Sequence, residues 1–311
     1  MNLFDSKTMV CSLIKIVRSR TTFSLQKTLL LLCLCFIGLL SDAQKVNEPK
    51  NTPPEWAKPY PPFRIAGNLY YVGTDDLACY LLVTDAGNIL INTGLAESDS
   101  LIQASIETLG FKMGDTKILL TTQAHYDHLG AMASIKKRTG ALLFVDAKDS
   151  AVLADGGSSD YALGGGERTY EAIQPDQVLY NGDTIKLGAM HVVMLHHPGH
   201  TKGSCSFLFD AKDEQRSYRV LIANMPTIVT DKKFADVTAY PDIAKEYAYT
   251  LNSLKTLRFD IWLASHASQF NLHSKHKPGD VYSPAAFVDR EGYDIELKEL
   301  QNKFDKKMQD Q

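Results

Sequence analysis

Gln123, His125, Asp127 and His128 fall within six residues, in the stretch Thr121-Thr122-Gln123-Ala124-His125-Tyr126-Asp127-His128-Leu129-Gly130. An amide oxygen, two imidazoles and a carboxylate are all metal-ligand types. Burying so many polar groups in one short segment is costly unless they share a purpose, which makes metal binding the leading reading of the cluster. In an extended chain, side chains two apart point the same way, so Gln123 and His125 can converge on one point. A turn after them swings Asp127 and His128 toward a second point. The arrangement suits two metal ions a few ångströms apart.

The elements that must position this cluster are legible on either side of it. Lys117-Ile118-Leu119-Leu120 reads as a short buried strand and residues 131–137 as a helix, which places the ligands on a strand-to-helix turn. Upstream, strands are predicted over 63–65, 69–72, 78–83 and 88–91, then an amphipathic helix over 98–109. Downstream come a strand over 141–145 and a helix over 148–154. The five glycines of 155–166 predict a mobile loop, either a passive connector or a substrate-facing flap carrying Tyr161. The second half repeats the first in outline, with strands over 184–187, 191–195, 205–209 and 218–222, a helix over 243–254 and a strand over 260–264. This pattern predicts one domain of two similar α/β halves packed sheet to sheet, with helices outside. The polar, Lys-rich tail 296–311 is expected to be helical or frayed, with no catalytic role.

Two further histidines stand at predicted strand ends, as the first cluster does: His200 in Pro198-Gly199-His200-Thr201-Lys202-Gly203-Ser204, and His266 in Ala264-Ser265-His266-Ala267-Ser268. Ligands on loops at one edge of packed sheets have the rigid support that metal chemistry requires. The combination Q-x-H-x-D-H, GHTKGS and SHAS resembles the metallo-β-lactamase superfamily, specifically subclass B3 in its glutamine variant, the GOB type. The resemblance runs from about residue 55 to 280. It implies an αββα four-layer sandwich, with a first zinc on Gln123, His125 and His200 and a second on Asp127, His128 and His266. It also implies hydrolysis of the β-lactam amide bond of penicillins, cephalosporins and carbapenems, and hence antibiotic resistance. In that chemistry Asp127 both ligates and orients a zinc-bound hydroxide, then carries its proton.

Two departures from the family pattern carry expectations of their own. Most subclass B3 enzymes have histidine where this chain has Gln123, and an amide oxygen donates more weakly to Zn²⁺ than an imidazole nitrogen, so the first site is expected to hold metal less tightly. In Ile222-Ala223-Asn224-Met225-Pro226-Thr227 there is neither the bridging aspartate of the superfamily's thioesterases and lactonases nor the zinc-ligating cysteine of subclass B1. Met225 stands where subclass B3 usually has a serine. Thr227 matches a hydroxyl that helps bind the substrate carboxylate in the family, although an ordinary loop threonine fits there equally well. Asn224, Met225, Thr227 and Tyr161 are therefore the candidate substrate contacts, and an exported hydrolase acting on a thioester or lactone is the alternative function.

Composition narrows the remaining classes. A net charge of −3 without a basic stripe gives no reason to expect nucleic acid. Lys15, Arg18, Arg20 and Lys27 precede an apolar run of thirteen residues from Thr28 to Leu40. That run is short for a membrane span, which needs about 20. Ser41-Asp42-Ala43 supplies small residues for cleavage, so residues 1–43 are expected to be a signal peptide and 44–311 a monomeric, periplasmic domain with no membrane attachment. Of the five cysteines, Cys79 and Cys205 then remain, each in an apolar run, and two buried thiols are expected rather than a disulfide.

Overall fold

The period-two alternation of the central strands divides their side chains between two apolar cores. In β4 (Gly87–Ile91) Ile89 and Ile91 join one core and Leu90 the other. β5 (Thr116–Leu120) repeats this with Ile118 and Leu120 against Leu119, and β3 (Tyr80–Thr84) with Tyr80 and Leu82 against Leu81. A strand that is apolar on both faces must be covered on both, and here the covers differ. Ile102 and Ile106 of the helix Ser98–Thr108, with Met132 and Ile135 of the helix Met132–Thr139, line the outer core. The inner core is shared with a second sheet through Val192 and Met194 of β9 (Met190–His196), Phe207 and Phe209 of β10 (Cys205–Lys212), and Val220 and Ile222 of β11 (Ser217–Ala223).

The structure is a computed structural model in which residues 45–310 are described. The expected signal segment and its cleavage after Ala43 lie outside the described residues. The first sheet runs β1 (Phe63–Ala66), β2 (Leu69–Tyr71), β3, β4, β5, β6 (Leu142–Asp146) and β7 (Gln177–Leu179) in order. It is antiparallel from β1 to β4 and parallel from β4 to β7. The second sheet runs β12 (Ile261–Ala264), β11, β10, β9 and β8 (Thr184–Leu187), with β12 parallel to β11 and the rest antiparallel. The helices Ile243–Thr256 and Arg290–Gln309 pack with the second sheet through Tyr247, Leu251, Leu254, Leu297, Leu300 and Phe304. Helix, sheet, sheet and helix make the expected αββα sandwich.

Two features depart from expectation. The β10–β11 hairpin is longer than its apolar runs, pairing as far as Lys212 with Ser217, because the Asp213 side chain accepts from the Gln215 and Arg216 amides and closes the turn. β7 was not foreseen; three residues at a sheet edge leave too little alternation to detect. Of the two forms expected for the C-terminal segment, helical or frayed, the structure has the helical one. It is a helix from Arg290, capped by Asp289 accepting from the Gly292 amide, and it buries Tyr293, Leu297, Leu300 and Phe304 at helical spacing. Cys79 and Cys205 are buried free thiols. Among the described residues no helix is long and apolar enough to cross a membrane.

Candidate metal centre

The ligand turn begins where β5 ends, and it is held by the neighbouring strand. Asn92, just past β4, adopts a left-handed φ of 62°, a region asparagine tolerates better than most residues. Its Oδ1 accepts from the Thr122 amide at 3.0 Å and from the Thr122 hydroxyl at 3.2 Å. His125 is still extended (φ −107°, ψ 153°), and a single helical turn, Tyr126–Leu129, follows at once. The change from extended to helical backbone separates His125 from Asp127 and His128.

The first group is His125 with His200. Their Nδ1 and Nε2 atoms stand 3.1 Å apart, and both rings are buried. His200 Nδ1 lies 2.8 Å from the Thr227 carbonyl oxygen, which can only accept, so Nδ1 carries the proton and Nε2 presents its lone pair toward His125. Burial pulls the His200 pKa down to about 3, helped by its imidazole neighbour His125, and the ring is the neutral form that binds metal. The other nitrogen of His125, Nε2, is 3.5 Å from the Asp160 carboxylate.

Asp127, His128 and His266 form the second group, with one ligand-type atom from each within 4.8 Å of the others. Asp127 Oδ2 lies 3.2 Å from His128 Nε2 and 3.4 Å from His266 Nε2. His266 Nδ1 is 3.0 Å from Asp76 Oδ2, a carboxylate–histidine pair that turns Nε2 inward. Burial lowers the His266 pKa, but the two carboxylates outweigh it and raise the value to about 9. Asp76 and Asp127 thus favour positive charge at this point. Zinc fits the donor set. Both His128 nitrogens are buried without a hydrogen-bond partner, an arrangement that costs free energy unless a cation uses one of them.

Gln123 is buried, and its Oε1 accepts from Asn224 Nδ2 at 3.0 Å. The four candidate substrate contacts sit at different depths. Asn224 and Met225, at 2% and 1% exposure, have almost no surface to offer a ligand. Both follow β11 directly, and Met225 packs into the inner core. Thr227 is half-buried, and both its carbonyl and its hydroxyl face His200 Nδ1. Tyr161 donates to the Gly199 and His200 carbonyls at 3.1 and 3.0 Å, and its ring meets Tyr240 edge to face. The glycine-rich stretch is therefore folded against the His200 loop. Asp160 organises it by accepting from the Ala162 and Leu163 amides.

Three acidic residues were missed. Asp76 and Asp160 face His266 and His125 from turns whose local sequence signals only a turn. Asp149 joins the two motif loops: it accepts from the Ala124 amide (2.9 Å), the Thr201 hydroxyl (2.7 Å) and the Gly203 amide (2.7 Å). Burial raises its pKa to about 6 in spite of these donors. Nothing in sequence spacing joins these aspartates to residues up to 190 positions away.

The sequence profile of a family described as the metallo-beta-lactamase superfamily matches residues 73–213. The class B3 di-zinc metallo-beta-lactamase LRA-12 from an Alaskan soil metagenome is 66% identical, with a TM-score of 0.83 over 84% of this chain and 99% of that one. The metallo-beta-lactamase GOB-18 from Elizabethkingia meningoseptica is 57% identical, with a TM-score of 0.86 over 87% of this chain and 100% of that one. Among curated proteins, the hydroxyacylglutathione hydrolase GloC of Haemophilus influenzae is 30% identical over 131 residues, 42% of this chain. The chain spans 59% of that relative's length, and 37% and 43% of two others.

Proposed function

Because this chain belongs to the metallo-β-lactamase superfamily, we propose that it is a zinc-dependent hydrolase of subclass B3 type that opens the amide bond of β-lactam antibiotics. The observation that carries this reading is the pair of donor groups at strand ends of the two sheets, His125 with His200 and Asp127 with His128 and His266, set in a fold shared over nearly the full length of a di-zinc enzyme. In the proposed assignment Gln123, His125 and His200 hold the first zinc, and Asp127, His128 and His266 the second. The amide ligand makes the first site the weaker one. Bound zinc supplies a water whose pKa falls from 15.7 to about 7 and a Lewis acid for the carbonyl.

The chain's own residues then have definite tasks. Thr227 and Asp76 hold His200 and His266 by their outer nitrogens, and the Asp160 carboxylate faces the outer nitrogen of His125 at 3.5 Å, so that the inner nitrogens face the reacting centre. Asp127 stands between His128 and His266, where its carboxylate orients the attacking water and takes its proton. As the water oxygen adds to the carbonyl carbon, the carbon–nitrogen bond breaks and the proton passes from Asp127 to the departing nitrogen. No serine nucleophile is required. The basic and apolar leader supports export to the periplasm, where β-lactams act on the cell wall, and carbapenems belong to the proposed substrate range.

The test is hydrolysis of a carbapenem with and without a chelator, followed by zinc add-back. We expect activity to disappear on chelation and return with zinc; chelator-resistant turnover would refute the mechanism. The curated match to a hydroxyacylglutathione hydrolase favours one second reading, a thioesterase. Against it, Ala223-Asn224-Met225 supplies no carboxylate where such enzymes place a bridging aspartate. A glutathione thioester assayed beside the carbapenem decides between them.

A further inference from the structure

The orientation of Gln123 is set by a buried neighbour. A glutamine can present either its oxygen or its NH₂ to a site, and only the oxygen ligates zinc. Asn224 removes that ambiguity. Its Nδ2 lies 2.7 Å from the Thr122 carbonyl oxygen, an obligate acceptor, so the atom there is the NH₂ group. The second hydrogen of that NH₂ is directed at the Gln123 side chain, 3.0 Å away, and two NH₂ groups cannot face each other at that distance. Gln123 must therefore turn Oε1 toward Asn224. One lone pair of that oxygen accepts from Asn224 and the other stays free.

Asn224 is itself fixed. It is 2% exposed, and its backbone amide donates to Ser206 Oγ at 2.9 Å. Ser206 Oγ is also 2.7 Å from His197 Nδ1, and His197 Nε2 reaches Ser253 Oγ at 3.0 Å. A buried polar chain thus runs from the helix Ile243–Thr256 through β10 to the loop after β11 and ends on the Gln123 oxygen. Such fully satisfied networks hold one geometry, because any rotation leaves a buried donor or acceptor unpaired.

We propose that Asn224 is a positioning residue that fixes the Gln123 amide oxygen as the ligand atom for the first metal, giving a weak amide donor the pre-set orientation that an imidazole does not need from Asn224. This inference rests on the assignment of Gln123 to the first zinc. It predicts that Asn224 matters to one metal site only, and only while residue 123 is an amide.

The experiment is zinc binding in chelator-buffered solution, read as zinc per chain against free zinc for the full-length mature protein and its variants. Asn224→Leu keeps the volume but removes the donor, and the Thr122 carbonyl keeps its bond from the Cys205 amide. We expect the weaker binding step to fall by roughly 10-fold or more, the scale of lost support behind a metal ligand, and the tighter step to stay in place. In a Gln123→His background the same substitution should change the weaker step by less than about 2-fold, since an imidazole nitrogen has no oxygen–NH₂ choice to resolve. Melting of the zinc-free protein checks that each variant folds. Asn224→Ser, shorter and with room for water, carries the same expectation if the leucine variant does not fold. An unchanged weaker step, equal loss at both steps, or equal loss in the histidine background would overturn the proposal. Gln123→Ala separates the two levels: if it leaves the weaker step intact, the ligand assignment fails and the positioning role falls with it; if it abolishes that step while Asn224→Leu does not affect it, the positioning role alone fails.

Discussion

His200 and His266 each have their outer ring nitrogen held by something other than another ligand: Thr227 for the first, Asp76 for the second. An imidazole supported in this way keeps its tautomer and its direction when the metal leaves, so rebinding requires no reorganisation. Asp76 does more than this. Its carboxylate also accepts from the Trp56 indole at 3.1 Å and the Ser268 amide at 2.8 Å, so the short helical turn Pro54–Trp56, the turn after β2 and the loop after β12 meet at one side chain. Asp76→Asn keeps the size and removes the charge. We expect zinc affinity at the Asp127-His128-His266 site to drop roughly 10- to 100-fold, the usual cost of losing a carboxylate behind a ligand histidine. Competition against a chromophoric chelator measures it, and an affinity within 2-fold of wild type, roughly, would show that Asp76 is a passive neighbour.

At the scale of elements, the single helical turn Tyr126–Leu129 presents Asp127 and His128, and a turn so short has no stability of its own. It is held from outside. The Gly130 amide donates to the Gly94 carbonyl at 2.9 Å as well as to Tyr126, and the Thr93 amide donates to the His128 carbonyl. Gly130 lies so close to Leu95 and Ala96 that a Cβ there would overlap their main chain. The loop after β4 thus clamps the ligand turn through backbone contact that only glycine permits. Gly130→Ala is expected to cost about 3 kcal/mol, the upper end of overpacking. In a chain of this size that lowers the melting temperature by roughly 6–12 °C. Thermal unfolding of the zinc-free protein checks the figure, and a loss of only a degree or so would mean that the two segments can move apart.

For the molecule as a whole, the site is a product of two sheets meeting. Gln123 to His128 follow β5 of the first sheet, while His200 and His266 follow β9 and β12 of the second. Asp146 at the end of β6 and His196 at the end of β9 add an ion pair across the same seam, with Oδ2 and Nδ1 2.7 Å apart. Burial lowers the His196 pKa, but the Asp146 carboxylate outweighs it and the net shift is upward from 6.5. A folded-state pKa above the unfolded one means that the folded protein binds the proton more tightly. The stabilisation is therefore fully present below the unfolded value and fades as the pH rises through the folded one. His196→Gln should lower the melting temperature more at about pH 5.5 than at about pH 8.5, on either side of the histidine range. Equal losses at both ends would place the contribution of His196 in packing rather than charge.

Much of this was legible before any coordinates. Ligand types at Gln123, His125, Asp127 and His128, the further histidines at strand ends and the alternation of 89–91 and 118–120 are local patterns, and local geometry alone divides Gln123 and His125 from Asp127 and His128. The buried face of the C-terminal helix was equally local, in the spacing of Tyr293, Leu297, Leu300 and Phe304, and was obscured by the charge around it. What only tertiary structure decided is which side chains support the ligands. Asp76, Asp149, Asp160 and Asn224 lie on separate turns and strand ends, and an aspartate in a turn carries the same sequence signal whether it faces water or a histidine. Their roles come from two sheets closing on a shared apolar core, which brings distant loop ends within 3 Å or so of each other in an interior where every buried donor must find an acceptor.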